Sequence, residues 1–388
     1  MVDLLHEKIY QFVINEIKTG KLRPGDKVLS EKELAEKFGV SRITTKHALA
    51  RMAELGVINR TRGKGSFVTE NANKLIELNA ATRSAVDAQS LSPDSFRGFL
   101  FGLVLPGFGE PFGLRMVHAI EKKASELGMY MLLKDSYGSR EVEERAVEDF
   151  IRIGAKGLIV FPVHGEYYSE YLLKLSLQRF PLVLVDRFLK GIPIPAVVTD
   201  NQEAAEKLTS LLIDYGHKNI AFVSPPPENT SSIEERLSGY SQAFARHGLS
   251  VNEKFLMTDV QSTLKLKHLY EYEESAEDIA KLERFIKDAP EITAFVACEY
   301  EIACLIRQAA FNLDKKIPED ISIVCFDHSI QNPLVFTHVH QAENLIGETA
   351  VAILEQLLHR CEVPFLTKVP YEIAYASSVG FPIAHNSI

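Results

Sequence analysis

Residues 20–68 read GKLRPGDKVLSEKELAEKFGVSRITTKHALARMAELGVINRTRGKGSFV, and this stretch combines helix caps with a hairpin pattern. Ser30 and Glu33 have the spacing of a capping box, in which the serine hydroxyl accepts from a free backbone amide and the glutamate reaches back to the serine amide. Ser41 is placed to cap a following helix that has an apolar inner side. Two short β runs on either side of Gly63 then predict a hairpin.

An amphipathic helix is predicted upstream, because apolar residues recur at helical spacing between Leu5 and Ile17. Three helices followed by a hairpin are typical of a winged helix-turn-helix domain, here over residues 1–70. Its outward side chains are mostly hydrogen-bond donors that can reach base edges and phosphates. We therefore predict a DNA-binding surface made of Lys32, Ser41, Arg42, Thr45, Lys46, Arg62, Gly63 and Lys64. The alternative is a solvated face on a winged helix that docks a protein.

Charge separates this head from the rest of the chain. The 388 residues carry a formal net charge of −9, but residues 1–70 hold 13 Lys and Arg against 9 Asp and Glu, which makes the head +4 and the remainder −13. A basic head on an acidic body indicates that the head meets a polyanion and that the body has another role.

Several features bear on where the protein works. The N-terminus, MVDLLHEKIY, has acids where a signal peptide has a basic start, and no apolar run approaches the roughly 18 residues that a membrane span needs. The cysteines show no CxxC spacing and are expected to be reduced thiols: Cys298, Cys304, Cys325 and Cys361. These features predict a cytoplasmic protein that meets no membrane.

The pattern changes in the second part of the chain. Residues 71–97 are rich in Ala, Ser and Asn and are predicted to be a linker. From Phe99 onward, buried-strand runs alternate with amphipathic helices, which predicts parallel sheets covered on both faces. Residues 98–388 are enough for two such sheets. The expected fold class is therefore multidomain α/β with a small winged helix-turn-helix.

The residues that follow each strand run are the candidates for a binding site, because ligands of open parallel sheets bind beyond the carboxyl ends of the strands. They include carboxylates, arginines, a glutamine and an aromatic ring, which together can orient hydroxyl groups and stack on an apolar ring face. We predict a small polyol or sugar pocket lined by Phe112, Asp135, Asp186, Arg187, Arg236, Glu299, Asp327 and Gln341.

The stretch from Gly20 to Val68 closely resembles the DNA-binding domain of GntR-type bacterial transcription regulators. The resemblance implies operator contacts at the positions of Lys32, Ser41, Arg42, Lys46, Arg62 and Gly63. Most members of that family have a proline where this chain has Leu29, and its loss is expected to loosen one turn and leave DNA docking intact.

The stretch from about Phe99 to about Gly380 resembles the LacI family of regulators and hence the periplasmic pentose-binding proteins. Motifs such as PLVLVDR (181–187) and IPEDISIVCFDH (317–328) carry this resemblance. It implies a periplasmic-binding-protein-like sensor whose first lobe covers residues 98–198 and 341–368 and whose second covers 199–340 and 369–388. Family ligand contacts then fall on Phe112, Asp186, Arg187, Arg236, Asp327 and Gln341. The chain departs from the family at Glu299, where an Asn-Asp pair is usual.

The pairing of this head with this sensor is similar to that of arabinose-responsive repressors. The resemblance implies a homodimeric repressor of carbohydrate-use genes that binds operator DNA, needs no cofactor and is not an enzyme. A small sugar, with a pentose favoured, is expected to bind between the lobes and to relieve repression.

Two other patterns leave alternatives open. Gly107–Gly113 follows a strand and Asp135 ends the next one, which imitates a dinucleotide site and would make the protein an NAD- or NADH-sensing repressor or a fused dehydrogenase. Its GxGxxxG spacing and the proline inside it argue against pyrophosphate binding. His338 and His340 can share one face of a strand and so offer a pair of metal ligands, but no third ligand at a telling spacing accompanies them. We therefore expect no metal site and expect one or both histidines to line the hinge. No GxSxG turn or similar nucleophile motif occurs.

Overall fold

The computed structural model describes residues 3–61, 65–76, 99–165, 169–264, 272–331 and 336–382. Its chain divides into two compact units, Met1–Arg97 and Gly98–Ile388, and each is described by itself. The predicted fold class is confirmed, since a small winged helix-turn-helix is followed by a two-lobed α/β part with mostly parallel sheets. The bounds given above to the head, the linker and the lobes stay predictions.

The first unit has the helices α1 (Asp3–Lys18), α2 (Glu31–Phe38) and α3 (Arg42–Glu54), and residues 72–76 form a further helical turn. Its strands are β1 (Lys27–Val28), β2 (Ile58–Thr61) and β3 (Gly65–Val68), paired antiparallel in the order β1-β3-β2. The three long helices close over one apolar core, to which α1 contributes Ile9, Val13 and Ile17.

The predicted caps of the head are confirmed. Ser30 Oγ accepts from the Glu33 amide at 3.3 Å, and Glu33 Oε2 accepts from the Ser30 amide at 2.7 Å, which is the reciprocal pattern of a capping box. Ser41 Oγ accepts from the Thr44 amide at 3.2 Å and so caps α3. Gly39 ends α2 at φ +64°, where a glycine avoids the strain that a Cβ would bring.

Strands and helices alternate through the second unit. Its strands are β4 (Leu100–Leu105), β5 (Tyr130–Asp135), β6 (Gly157–Val160), β7 (Leu182–Val185), β8 (Ala196–Thr199), β9 (Ile220–Val223), β10 (Leu256–Met257), β11 (Ala294–Ala297), β12 (Ser322–Phe326), β13 (Thr337–Gln341), β14 (Leu366–Val369) and β15 (Tyr371–Ala374). Its helices are α4 (Leu114–Glu126), α5 (Arg140–Ile153), α6 (Glu170–Leu177), α7 (Asn201–Asp214), α8 (Ser231–Arg246), α9 (Tyr272–Asp288), α10 (Tyr300–Asn312) and α11 (Glu343–Leu358).

These strands form two six-stranded sheets, which define the two lobes. The first-lobe sheet has the order β14-β8-β7-β6-β4-β5, and all its neighbours are parallel. The second-lobe sheet has the order β10-β9-β11-β12-β13-β15, with β15 antiparallel to β13. The central strands β6, β7, β9 and β11 are buried at every residue, as expected where helices cover both faces of a sheet.

The chain crosses between the two lobes three times. It leaves the first sheet after β8 into α7, which packs on α8, and it leaves the second sheet after β13 into α11, which packs on α4. It passes a third time, from the first lobe to the second, where β14 leads through Pro370 directly into β15. Among the described helices, none is long and apolar enough to cross a membrane.

Candidate functional site

The first lobe presents an aspartate and an arginine at the end of β7. Asp186 is 5% exposed and has a left-handed backbone at φ +64°. Arg187 donates from Nη1 to the Pro162 carbonyl at 3.0 Å, and its guanidinium lies 4.9 Å from the centre of the Phe161 ring. Burial lowers the pKa of Arg187, while Asp186 and Glu299 act in the opposite direction. The first lobe thus holds a desolvated cation at its strand ends.

The second lobe presents its own arginine from α8. Arg236 is 5% exposed and donates from Nε to Asn201 Oδ1 at 2.9 Å and from Nη1 to the Cys298 carbonyl at 2.6 Å. Its guanidinium lies 3.9 Å from the centre of the Phe326 ring. These contacts fix the side chain at the carboxyl ends of β11 and β12.

An aspartate and a glutamine meet beside Arg236. Gln341 Nε2 donates to both carboxylate oxygens of Asp327, at 3.0 and 3.1 Å, and both residues are buried. Burial raises the pKa of Asp327 well above its ordinary value, and Arg236 and Gln341 act against this rise. Asp327, like Asp186, has a left-handed backbone, at φ +66°.

Glu299 links the groups of the two lobes. Burial raises its pKa, and Arg236 of the second lobe and Arg187 of the first both lower it, so both arginines act on the same carboxyl group. Arg187 Nε and Gln341 Oε1 are buried and have no hydrogen-bond partner among the described residues. The cleft therefore brings together five polar residues of the predicted pocket, and Glu299 interacts electrostatically with both arginines among them: Asp186, Arg187, Arg236, Asp327 and Gln341.

Phe112 is connected to this cluster through Phe161. It is half-buried and packs edge-on against Phe161 with 6.2 Å between the ring centres, while Phe161 itself lies under Arg187. Phe112 thus joins the aromatic wall of the first lobe. Whether it stacks on a ligand stays a prediction.

Asp135 is not brought to the cluster. It ends β5, the outermost strand of its sheet and three positions from β7, which at the usual strand spacing is about 14 Å from Asp186. Its Oδ1 accepts from the Tyr137 amide at 2.7 Å and so holds a turn. This residue is a correction to the predicted pocket, because its strand runs along the edge of the sheet.

The structure also argues against the dinucleotide alternative. A pyrophosphate would need the free amides at the start of α4, but Glu343 Oε2 already accepts from the Gly113 amide at 2.7 Å. Glu343 Oε1 accepts from Arg115 at 2.9 Å. A carboxylate of the protein itself takes the place that the phosphate would occupy.

On the head, the exposed start of α3 presents Arg42 and Lys46, and Lys32 of α2 is exposed beside Glu36. Ser41 uses its hydroxyl as the α3 cap. Arg62, Gly63 and Lys64 lie outside the described residues.

Thr45 is a second correction. It is fully buried, and its hydroxyl lies within hydrogen-bond distance of the Glu31 and Arg42 carbonyls, at 3.1 and 2.9 Å. The residue holds α3 against α2, and its side chain is not accessible to a base edge.

Sequence reasoning missed several residues of the cleft. The two arginines are held by Asn201, Phe161 and Phe326. Each of these lies at or just after the end of a strand run, so a wider search of the residues at strand ends would have found it. Contacts between the lobes were also missed. Thr230 Oγ1 accepts from the Gly165 amide at 2.9 Å, and Ser231 Oγ accepts from the Phe188 amide at 2.9 Å.

Comparison with known proteins agrees with this architecture. The family described as bacterial regulatory proteins, gntR family, matches residues 5–68, and the periplasmic binding protein-like domain matches residues 209–379. The chain is 25% identical over 375 residues to the arabinose metabolism transcriptional repressor of Geobacillus stearothermophilus, with 94% of each chain covered.

Two solved structures share the fold. Transcription regulator CcpA of Lactococcus lactis superposes with a TM-score of 0.64 at 24% identity, over 73% of this chain and 100% of that chain. The transcriptional regulator CelR in complex with cellobiose gives a TM-score of 0.61 at 18% identity, over 90% of this chain and 100% of that one.

The chain therefore joins a gntR-type winged helix to a LacI-like, periplasmic-binding-protein-like sensor, and it is a DNA-binding transcription regulator. The resemblance predicted from the sequence is confirmed at this level, and the relatives with the same head and sensor include arabinose metabolism repressors.

Proposed function

We propose that the protein is a repressor of carbohydrate-use genes that leaves its operator when a small sugar, with a pentose favoured, binds between the sensor lobes. The observation that carries this proposal is the approach of Arg187 from one lobe and Arg236 from the other to Glu299 in a buried cleft. Charged groups in fixed directions beside apolar rings suit the alternating polar edge and apolar face of a sugar. The names of two relatives, both arabinose metabolism repressors, point to the same ligand class.

The mechanism follows from where the polar groups lie. A ligand that contacts Asp186 and Arg187 on one side and Arg236 and Asp327 on the other binds the closed arrangement of lobes better than an open one, so it shifts the population toward closure. A nearly complete shift needs about 5.5 kcal/mol of differential affinity. In a homodimer, closure would alter the fit of two heads to half-sites about one helical turn or more apart. The sugar is bound and not transformed.

The test is calorimetry of the full chain against pentoses, hexoses, purines and NADH, followed by operator binding with and without the sugar that binds. We expect heat from a pentose, and we expect Arg236→Met to remove it while operator binding without sugar stays intact. Arg246→Met is the matched control, since Arg246 lies on the same helix with its side chain 72% exposed. Binding of NADH with no sugar bound would overturn the proposal.

A further inference from the structure

Three histidines of the second lobe come together outside the contacts described above. His338 and His340 lie on one face of β13, and His328 follows β12, which pairs in parallel with β13. Their ligand-capable atoms all lie within 4.8 Å of one another. His328 and His338 are not neighbours in the sequence, so only the pairing of β12 with β13 supplies the third imidazole that the sequence pattern lacked.

The hydrogen bonds of this cluster leave a lone pair of His338 free and one nitrogen of His328 unpartnered. His338 Nδ1 donates to the Phe336 carbonyl at 2.7 Å, which places the lone pair on Nε2. His338 is 3% exposed, and its Nε2 has no hydrogen-bond partner among the described residues. His328 Nδ1 is also buried and has no hydrogen-bond partner among the described residues. A ring N–H donated to a backbone carbonyl is the usual way in which proteins orient a metal-binding histidine.

The protonation state suits a metal as well. Burial lowers the pKa of His338 to about 4, and burial and the neighbouring His340 lower the pKa of His328. Both rings are therefore neutral at pH 7, the form that coordinates cations.

Charged side chains of both signs lie near the cluster, and Arg115 disfavours a positive charge on His328 while Glu110 favours it. Glu110 and Arg115 are the charged side chains that act on His328. Arg115 lies 2.9 Å from Glu343 and 3.7 Å from Glu110, so its charge is balanced. Glu110 Oε1 accepts from the Ile330 amide at 2.7 Å, which holds a carboxylate of the first lobe beside the histidine cluster.

Ring packing alone does not account for these features. His328 and His338 do stack, with 4.5 Å between ring centres and 25° between planes. Stacking, however, leaves the buried Nε2 lone pair of His338 without a donor and the buried Nδ1 of His328 without a partner, and an unsatisfied buried polar atom is destabilising.

We propose that His328, His338 and His340 form a binding site for a divalent d-block cation of the zinc, cobalt and nickel class. Three imidazoles at a zinc–nitrogen distance of about 2.0–2.1 Å stand about 3.3 Å apart in a tetrahedron, so metal binding would draw the three ligand atoms closer together and turn the stacked rings. A fourth position remains for water or another ligand. The site lies on the face of β13 opposite Gln341, and it would fasten β12 to β13 where both strands also hold sugar-pocket residues.

The experiment uses tag-free, chelator-treated full chain titrated with Co²⁺, whose visible absorption reports tetrahedral nitrogen coordination, and then with Zn²⁺ as competitor. We expect one equivalent to bind, with His338→Gln and His340→Gln each weakening affinity at least tenfold, because even groups that only orient a metal ligand contribute roughly 10–100-fold. His118→Gln is the control, since His118 is exposed on α4.

Circular dichroism and thermal unfolding in chelator check that the variants fold. If His338→Gln does not fold, the Co²⁺ affinity of His340→Gln decides the outcome, because His340 is only half-buried. Equal Co²⁺ affinity in His340→Gln and His118→Gln, or no stoichiometric binding in the parent chain, would overturn the proposal. Neither result bears on sugar or operator binding, so the proposed function is tested separately.

Discussion

Asp186 and Asp327 each hold a left-handed backbone directly after a buried strand, one in each lobe. Aspartate tolerates this region better than most residues, but the conformation still costs free energy and persists only where the surroundings enforce it. In both places the unusual backbone turns a carboxylate toward the cleft that the two arginines share. Such outliers cluster at ligand sites, and their presence in both lobes supports a pocket that closes from two sides.

His338 allows a prediction about pH at the same scale. Burial lowers its pKa from 6.5 to about 4, so between these values the unfolded chain binds a proton that the folded protein does not. The free energy of unfolding therefore falls as pH is lowered through this window. Above it, the full contribution is at most about 3 kcal/mol.

We expect His338→Gln, without metal, to lose part of that pH dependence between about pH 6.5 and 4, as measured by urea unfolding at a series of pH values. His164 provides an internal reference, because burial also lowers its pKa to about 4 and it remains in both proteins. Identical pH slopes for the two proteins would contradict the assignment of His338 as a buried neutral ring.

Among the elements, α7 and α8 pack most closely at Gly239. A Cβ on Gly239 would lie 2.1 Å from the Gln202 carbonyl and 2.9 Å from the Ala205 Cβ, so the helices could not keep their separation. Gly239 lies one turn after Arg236 on α8, and a shift of the helix displaces the guanidinium that reaches the cleft.

We therefore expect Gly239→Ala to lower the free energy of unfolding by about 1–3 kcal/mol and to weaken sugar binding in the same protein. Urea unfolding and calorimetry measure the two effects. Gln242→Ala, at an exposed position of the same helix, is the control. Unchanged stability and affinity in Gly239→Ala would show that the helices have room to separate.

Elements were predictable from the sequence where local signals agree. Caps, hairpin and buried strands carry their pattern within a few residues, as in the strand Ala196–Thr199, which is buried at every residue. Thr45 was readable too, since it shares the i, i+3, i+4 spacing of Ala48 and Leu49, which form the buried stripe of α3. Because threonine is polar, Thr45 was predicted to be part of the DNA-binding surface instead.

Other features depend on contacts distant in the chain. Asp135 follows a strand run like Asp186 does, and only the strand order places it at the edge of the sheet. The approach of His328 to β13 likewise follows from strand pairing. The antiparallel β15 was not predicted, because its direction depends on pairing with β13, which lies well before it in the chain.

For the whole molecule, the assignment of DNA binding to the head and ligand binding to the sensor predicts that one activity can be removed without the other. Arg42 lies exposed at the start of α3, where a helix N-terminus can enter a major groove. We expect Arg42→Ala to abolish specific operator footprints and to leave sugar binding intact by calorimetry. Arg152→Ala, with a side chain 73% exposed on α5 of the sensor, is the control. An unchanged footprint would refute the head as the operator-reading unit.

Lobe closure gives the last prediction. The start of α8 contacts the first lobe at several points: Thr230 meets Gly165, Ser231 accepts from the Phe188 amide at 2.9 Å, and Glu234 pairs with Lys190. These contacts join the two lobes in this structure and do not involve the predicted sugar residues, so on the proposed mechanism they should act on the closure equilibrium alone.

Ser231→Ala removes an acceptor worth about 1 kcal/mol from the closed arrangement only. Because sugar binding draws on closure, we expect about fivefold weaker sugar affinity by calorimetry, and more sugar needed for operator release by the same factor. Operator affinity without sugar should stay the same, since the head is untouched. Ser241→Ala is the control, because Ser241 bonds only within α8, to the Leu237 carbonyl. If both variants bind sugar as the parent does, these contacts do not govern closure.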